Sequence, residues 1–447
     1  MRSRRRFLQM LGAGAAGVML RAPLMRAFAQ LPSDSKDFFI VIHQAGGWDV
    51  TLWADPRNQA KGLVSPATTD TCQTDGVTGW IDQKLDDDTS TFQLIQKGNY
   101  QFGPALGSLL DLYDRMTVIN GIAMNTVSHP DGTYYSSTGR HLAGGRPVAT
   151  SVDTMLANEL GLEQLLPVVS VNFPSTFVGS NLDGRAMPLR VSDITAVAKS
   201  INRSTLYDTA ADRDAVTALL ANEARALATN AFDPSVFNGM AEQCDSLRLI
   251  LGDDSRALFD ANKLKQAHPN FAYTGKYQGA RAINAAFAIE AIRRRMVRCM
   301  SFQMASCDTH NANYKFHPLI LQETFDIIAS LVKEMDVTTF DGGSDKLSDH
   351  VHILVISEFC RTPQINLAGG RDHYPNNSAL IISPKFRGNW QYGKSDAEQL
   401  LPLDSGMFSD GVRPITPADV LATFLGAAGV DPRKYMRDGD VVKALLR

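Results

Sequence analysis

Four groups of acidic and histidine residues have the chemistry needed to hold a metal ion. They are Asp49; Ser128 with His129; Asp308 with His310; and Glu358 with Asp372 and His373. Their oxygen and imidazole groups, with no thiolate among them, suit zinc, manganese, calcium or magnesium. A divalent ion polarises a phosphoryl or sulfuryl oxygen and activates a hydroxyl nucleophile. These residue types therefore predict a divalent-metal site for hydrolytic chemistry.

Three arginines lie beside these groups in the sequence: Arg140, Arg361 and Arg371. A guanidinium binds an anionic group through forked hydrogen bonds. We therefore expect an anionic ester as substrate, held by these side chains. Each acidic group also has a structural explanation, because an aspartate that follows a strand often caps a helix or forms a turn.

The elements that would position these groups are predicted from the apolar segments. Short buried strands are predicted over 38–42, 116–119, 168–171, 297–304, 352–356 and 379–382. Helices are predicted over 104–113, 151–161, 215–229, 279–295, 322–335 and 417–429. This alternation favours an α/β fold with a mainly parallel sheet sandwiched by helices. Several polar groups directly follow strands, so we expect them to converge at the carboxyl edge of the sheet.

The first 29 residues have the features of a twin-arginine signal peptide. Residues 3–9 are Ser-Arg-Arg-Arg-Phe-Leu-Gln, and residues 10–20 form an apolar segment too short to span a bilayer. Residues 27–29, Ala-Phe-Ala, form a small-x-small cleavage site. We therefore expect export by the twin-arginine translocase to the periplasm or cell surface. The mature chain, 30–447, is expected to be one domain with a helical insertion at about 192–295.

The charge balance argues against nucleic acid as a partner. The chain has 44 basic and 47 acidic residues, and the leader contains six arginines and no acid. The mature chain is therefore acidic, with no net field to attract a phosphate backbone. No later segment is long and apolar enough to predict a transmembrane anchor. The five cysteines are scattered and form no CxxC pair, so no disulfide framework is predicted.

Several motifs resemble those of the twin-arginine-exported family catalogued as domain of unknown function 1501. They lie at residues 46–49 (Gly-Gly-Trp-Asp), 308–310 (Asp-Thr-His), 357–363 (Ser-Glu-Phe-Cys-Arg-Thr-Pro) and 370–373 (Gly-Arg-Asp-His). The resemblance covers nearly the whole chain. That family looks like a branch of the alkaline phosphatase and sulfatase superfamily, which implies an alkaline-phosphatase-like fold and a metal-assisted hydrolase.

The resemblance also implies roles for the candidate residues. Thr138-Gly139-Arg140 looks like the sulfatase segment downstream of the nucleophile, which puts the nucleophile at Ser128 or His129. We expect Ser128 to be the nucleophile and His129 an acid–base group or ligand. The expected metal ligands are Asp49, Asp308, His310, Glu358, Asp372 and His373, and the expected anion-binding residues are Arg140, Arg361 and Arg371.

The sequence departs from the superfamily pattern at several positions. Phe359 stands where sulfatases have the histidine of an Asp-His pair, and the sulfatase cysteine that matures to formylglycine is absent. The spacing of Asp308 and His310 is tighter than the Asp-x-x-x-His of alkaline phosphatases. Cys360 replaces the glycine of the usual Glu-Phe-Gly-Arg-Thr motif, and we expect it to be a small, partly buried side chain. These departures favour one metal ion or none over a two-metal site.

Two functions are compatible with these observations. The first is an exported, metal-dependent hydrolase of phosphate or sulfate esters, which the acidic and histidine groups favour. The alternative is a non-catalytic envelope binding or assembly protein on the same fold, which Phe359 favours. A redox enzyme fits less well, because the chain has no dinucleotide fingerprint and no iron–sulfur cysteine spacing.

Overall fold

The computed structural model describes most of the chain beyond its first 35 residues. The described ranges are 36–57, 94–179, 182–195, 210–231, 234–250, 257–340 and 343–447. The predicted signal peptide, 1–29, lies outside the described residues, as do parts of the expected helical insertion.

Eight strands form a central sheet that carries the site at one edge. The strands of the described chain are β1 (Phe38–Gln44), β2 (Ile95–Lys97), β3 (Tyr100–Phe102), β4 (Met116–Ile119), β5 (Leu166–Val171), β6 (Leu189–Val191), β7 (Val297–Met304), β8 (Val351–Ser357), β9 (Cys360–Arg361), β10 (His373–Tyr374), β11 (Ala379–Ile382), β12 (Trp390–Tyr392), β13 (Gly406–Phe408) and β14 (Gly411–Arg413). The order in the central sheet is β12-β4-β11-β8-β1-β7-β5-β6. β11 runs antiparallel to both of its neighbours, and the other pairings are parallel.

Helices cover both faces of the sheet. They are α1 (His129–Thr138), α2 (Val152–Leu160), α3 (Ala210–Ala228), α4 (Pro234–Ile250), α5 (Ala261–Ala267), α6 (Ala282–Arg293), α7 (Asn313–Val337) and α8 (Pro417–Ala427), with a 3₁₀ segment at Pro104–Arg115. Successive β1 side chains point to opposite faces. Ile40 therefore belongs to the core with α6 and α7, whereas Val41 belongs to the core with α2 and α8. This architecture confirms the predicted α/β sandwich with a mainly parallel sheet.

One predicted helix differs from the expectation, and one helix was not predicted. The helix predicted over 104–113 is a 3₁₀ segment broken at Gly107, whose φ of 49° is not helical. Gly107 takes this conformation where the chain lies against Asp326 of α7. Residues 128–132, where no element is predicted, begin α1 with Pro130 in the first helical turn.

The three central strands end level with one another, and this positions the site. β1 is parallel to both β7 and β8, with Gln44 opposite Met304 on one side and Ser357 on the other. The residues that follow these strands must therefore leave the sheet at one edge. The described helices fall short of the length and apolar character that a membrane span requires.

A half-buried carboxylate contacts two other segments at the opposite end of the sheet. Asp37 precedes β1, and its side chain contacts Lys385 and lies 3.2 Å from Nε2 of His352 in β8. Burial opposes ionisation, but the hydrogen bonds from His352 and Lys385 outweigh it and lower the pKa of Asp37 to about 2. Burial lowers the pKa of His352 as well, so His352 acts as a neutral donor and Lys385 as the cation.

We predict that Asp37→Asn lowers the free energy of unfolding at pH 7 by roughly 2 kcal/mol. Because the folded pKa lies below the usual value of 3.8, this stabilisation is complete above that pH. It is lost as the pH falls through the folded value. Denaturant unfolding of both proteins between pH 7 and 2 should show the difference shrinking at low pH. The exposed Asp404→Asn serves as the control, and a constant difference at every pH would contradict the prediction.

Candidate metal centre

Four side chains converge at the carboxyl edge of the sheet: His129, Asp308, His310 and His373. Each offers a ligand atom, and these atoms all lie within 4.8 Å of one another. The Nε2 atoms of His310 and His373 are 2.8 Å apart. The Asp308 carboxylate lies between the rings, 3.2 Å from Nε2 of His310 and 3.4 Å from Nε2 of His129. The group therefore combines three imidazole nitrogens with one carboxylate.

The opposite ring nitrogen of each histidine has an acceptor. Nδ1 of His129 lies 3.0 Å from Oε1 of Glu358, and Nδ1 of His310 lies 2.8 Å from Oδ1 of Asp372. Nδ1 of His373 donates to the carbonyl of Val127 at 2.7 Å. Acceptors at Nδ1 fix the proton there and turn the Nε2 lone pair of a neutral ring toward the centre.

With these tautomers, the histidine Nε2 lone pairs face one another and favour a cation between them. Two Nε2 lone pairs that face each other at 2.8 Å repel unless a proton or a metal ion lies between them. Two nitrogens bound to one zinc ion, each at about 2.0 Å, are themselves roughly 3 Å apart. The donor set of three imidazoles and one carboxylate thus fits a single divalent ion such as zinc or manganese.

His129 reaches the centre because α1 begins directly against β8. A Cβ on Gly132, in the first turn of α1, would lie 2.4 Å from the carbonyl oxygen of Glu358. Only glycine permits this approach without displacing the backbone. The hydrogen bond to Glu358 raises the pKa of His129, although burial acts against it.

His310 and His373 lie on two loops that also pack backbone to backbone. A Cβ on Gly370 would lie 2.0 Å from the carbonyl group of His310. Asn366 bridges the same loops, since its Nδ2 donates to the His310 carbonyl at 2.9 Å and to Asp372 at 3.1 Å. His373 begins the short strand β10, and burial lowers its pKa.

Arg361 provides the positive charge beside the centre. Its side chain is fully buried, and it donates to Asp308 and to the carbonyls of Gly46, Gly47 and Arg371. Burial favours the neutral form of Asp308, but the hydrogen bond and charge of Arg361 prevail and lower its pKa. Asp308 is therefore an ionised ligand, and the donors of Arg361 are engaged by the protein.

The structure brings together some of the predicted ligands and separates others. Asp308, His310 and His373 belong to the four-residue group, and His129 completes it. Glu358 and Asp372 lie behind the rings as hydrogen-bond acceptors.

Asp49 lies outside the group, in a polar site of its own. It accepts from Thr51 at 2.6 Å and from Asn313 at 2.9 Å, and it lies 3.4 Å from Nε of Arg371. Burial works against ionisation, but the charge of Arg371 lowers the pKa of Asp49. The negative charge of Asp49 thus compensates the positive charge of the buried Arg371.

The remaining predicted residues lie at the two ends of α1. Ser128 is exposed and occupies the N-cap position of the helix next to His129, without a side-chain capping hydrogen bond. Arg140 follows the carboxyl end of the helix, about 15 Å along its axis, and pairs with Asp438 at 3.4 Å. His129 therefore belongs to the centre and Ser128 precedes it in the chain, while Arg140 lies at the far end of α1.

Phe359 forms an apolar wall of the centre. Its ring centroid lies 4.9 Å from that of His129 and 4.5 Å from that of His373, and the side chain is fully buried. The ring restricts the orientation of both histidines. Cys360, the next residue, is buried, and burial raises the pKa of its thiol.

Two groups beside the centre were not predicted from the sequence. The Val127 carbonyl is a backbone group, so its contact with His373 has no signature in the residue type. His43 also escaped notice as a site residue, although a histidine at the end of an apolar strand is the kind of signal that could have identified it.

Comparisons with known proteins identify the family. The family model described as protein of unknown function (DUF1501) matches residues 37–441. The chain therefore belongs to this family, which confirms the resemblance found in the motifs. No curated protein matches the chain.

Solved structures of other proteins share 9% identity with the chain. The lipoteichoic acid synthase LtaP from Listeria monocytogenes aligns over 91% of this chain and 74% of its own, with a TM-score of 0.36. The structure of Ps i-CgsB in complex with k-i-k-neocarrahexaose aligns over 89% of this chain and 72% of its own, with a TM-score of 0.33.

Proposed function

For this member of the DUF1501 family, we propose a metal-dependent hydrolase of phosphate or sulfate esters. His129, Asp308, His310 and His373 would hold one divalent ion. The observation that carries the proposal is the convergence of three Nε2 atoms on one carboxylate, with each Nδ1 held by an acceptor. Histidine ligands whose second nitrogen is bound in this way are typical of metal sites.

The exposure of the centre supports a substrate site. The side chains of Asp308 and His310 are 38% and 44% exposed, so the centre is open to solvent on the side of these two residues. A metal ion bound there would supply a Lewis acid for the phosphoryl or sulfuryl oxygen of an ester. A purely structural zinc site also has four protein ligands but is usually closed, whereas this centre is open at Asp308 and His310.

Ser128 is our candidate nucleophile. Its side chain is exposed, it is adjacent to the ligand His129, and it stands at the amino end of α1. The positive end of the helix dipole favours negative charge at this position. His129 takes the role of a ligand in this proposal, because Glu358 binds its Nδ1 and Nε2 faces Asp308.

The second candidate is a metal-binding protein without catalytic activity. One observation favours it: the donors of Arg361 and Arg371 are engaged by carbonyls, Tyr314 and the acids Asp308 and Asp49. In the hydrolase, the anionic group of an ester would then depend on the metal ion rather than on these arginines. Activity measurements on the metal-loaded protein distinguish the two candidates.

We also propose that the protein is exported by the twin-arginine translocase to the periplasm or cell surface. The support comes from the sequence, in which paired arginines, an apolar segment and a small-x-small cleavage site follow in order over residues 1–29.

We predict that the purified mature protein binds about one divalent ion per chain, as a single four-residue donor set implies. The double variant Asp308→Ala/His310→Ala should lose the ion, because it removes two of the four ligands. His350→Ala serves as the control, since His350 lies at the opposite end of β8. Elemental analysis after dialysis against zinc, manganese, calcium or magnesium measures the content. A wild-type protein that holds none of these ions would refute the metal centre.

We predict that the metal-loaded protein hydrolyses p-nitrophenyl phosphate or p-nitrophenyl sulfate. Ser128→Ala should lower kcat at least about a thousandfold, as expected for loss of a nucleophile, with the metal content unchanged. Ser409→Ala, at another exposed serine, is the control. Full activity in Ser128→Ala would rule out this serine as nucleophile. Metal binding without hydrolysis of either ester would favour the second candidate.

We predict that Arg4→Lys/Arg5→Lys keeps the protein in the cytoplasm, because the paired arginines would be the feature that the translocase binds. Cell fractionation followed by immunoblotting measures the distribution. Arg21→Lys changes a leader arginine outside the pair and should leave export intact. Equal export of the double variant and the wild type would contradict the proposed route.

A further inference from the structure

His43 is a polar residue placed in the apolar interior of the sheet. It is the next-to-last residue of β1, its side chain is fully buried, and Phe173 packs edge-on against its ring. Neither ring nitrogen makes a hydrogen bond of ordinary geometry. A buried polar group without a partner costs about 1–3 kcal/mol. An apolar side chain would avoid this cost, so the histidine calls for a functional explanation.

His43 lies beside the carboxylate of Glu358, which is behind the metal centre. Nε2 of His43 lies 3.4 Å from Oε2 of Glu358. The other oxygen, Oε1, accepts from the N–H of Gly46 at 2.6 Å and lies 3.0 Å from Nδ1 of His129. His43, Glu358 and His129 thus form a line that leads from the buried end of β1 to the centre.

The second oxygen of Glu358 depends on His43 for a side-chain donor. Ser357 also lies near this oxygen, at 3.2 Å, but its hydroxyl is 2.7 Å from the carbonyl of Gln44. A serine hydroxyl has one proton, which Ser357 donates to the Gln44 carbonyl in the shorter contact. Burial lowers the pKa of His43, so its ring is neutral with a single N–H to donate. That N–H is best used toward the ionised carboxylate.

We propose that His43 is a positioning residue of the metal centre. Its Nε2–H donates to Oε2 of Glu358 and fixes the carboxylate plane, so that Oε1 meets Nδ1 of His129 and the His129 lone pair faces the other ligands. The 3.4 Å contact is longer than an ordinary hydrogen bond and would tighten when a ligand at the centre orders the side chains. The inference rests on the proposed metal centre, whose failure the same experiment detects separately.

The test compares His43→Phe with His43→Gln in the mature protein. Phenylalanine fills the volume but cannot donate, whereas glutamine keeps a side-chain N–H at a similar reach. We expect His43→Phe to weaken zinc binding about tenfold, at the low end of the range for residues that orient ligands. His43→Gln should recover most of that loss. Competition with a chromophoric chelator measures the affinity, and Phe173→Leu is the packing control.

Cobalt provides a readout that packing alone would not change. The visible absorption of Co²⁺ reports ligand geometry, so rotation of the His129 ring in His43→Phe should alter the bands, and His43→Gln should restore them. If His43 served only in packing, His43→Phe would keep the zinc affinity and His43→Gln would lower it. That order of affinities would overturn the proposal. Equal zinc affinity and cobalt spectra in all variants would also overturn it.

Two further outcomes are distinguishable. If the wild type binds neither zinc nor cobalt, the metal centre itself fails and the role of His43 fails with it. If His43→Phe does not fold, as judged by thermal unfolding, His43→Leu replaces it as the variant without a donor. Unchanged zinc affinity in folded His43→Leu then overturns the role of His43 while leaving the centre intact.

Discussion

The buried guanidinium of Arg361 joins the loops at the carboxyl edge of the sheet. It donates to the carbonyls of Gly46 and Gly47 after β1, to Asp308 after β7, and to the carbonyl of Arg371 before β10. Removing such a charge from water costs several kcal/mol, and the cost is offset only when every donor is satisfied. The chain segments around the centre must therefore keep this arrangement, which also fixes where Asp308 presents its carboxylate.

The parts of the centre that follow from local pattern could be predicted from the sequence. Buried apolar segments identified β1, β7 and β8, and parallel pairing implied that the residues after them would meet at one edge. Asp308 and His310 stand just after β7, and His373 lies in a recognised motif, so all three were expected to be ligands.

The remaining assignments depend on contacts that spacing does not encode. Glu358 and Asp372 could bind a metal ion as well as Asp308 could. Each instead contacts Nδ1 of a histidine, whose ring lies between the carboxylate and the centre. Asp49 pairs with Arg371, which comes from a loop more than 300 positions later. The sequence suggested that the arginines would bind an external anion, and in the structure Arg361 and Arg371 donate to acceptors within the protein. Only the tertiary arrangement distinguishes these uses of the same side chains.

The wide separation of the four converging side chains along the chain bears on biogenesis. The first comes from residue 129 at the start of α1 and the last from His373 in β10, with the helices between β6 and β7 intervening. During synthesis, a ribosome must have made more than four-fifths of the polypeptide before the fourth side chain exists. Contacts between such distant positions also form late in folding, after long loops have closed. The complete donor set is thus a property of the finished fold, and a truncated or partly folded chain would present only fragments of it.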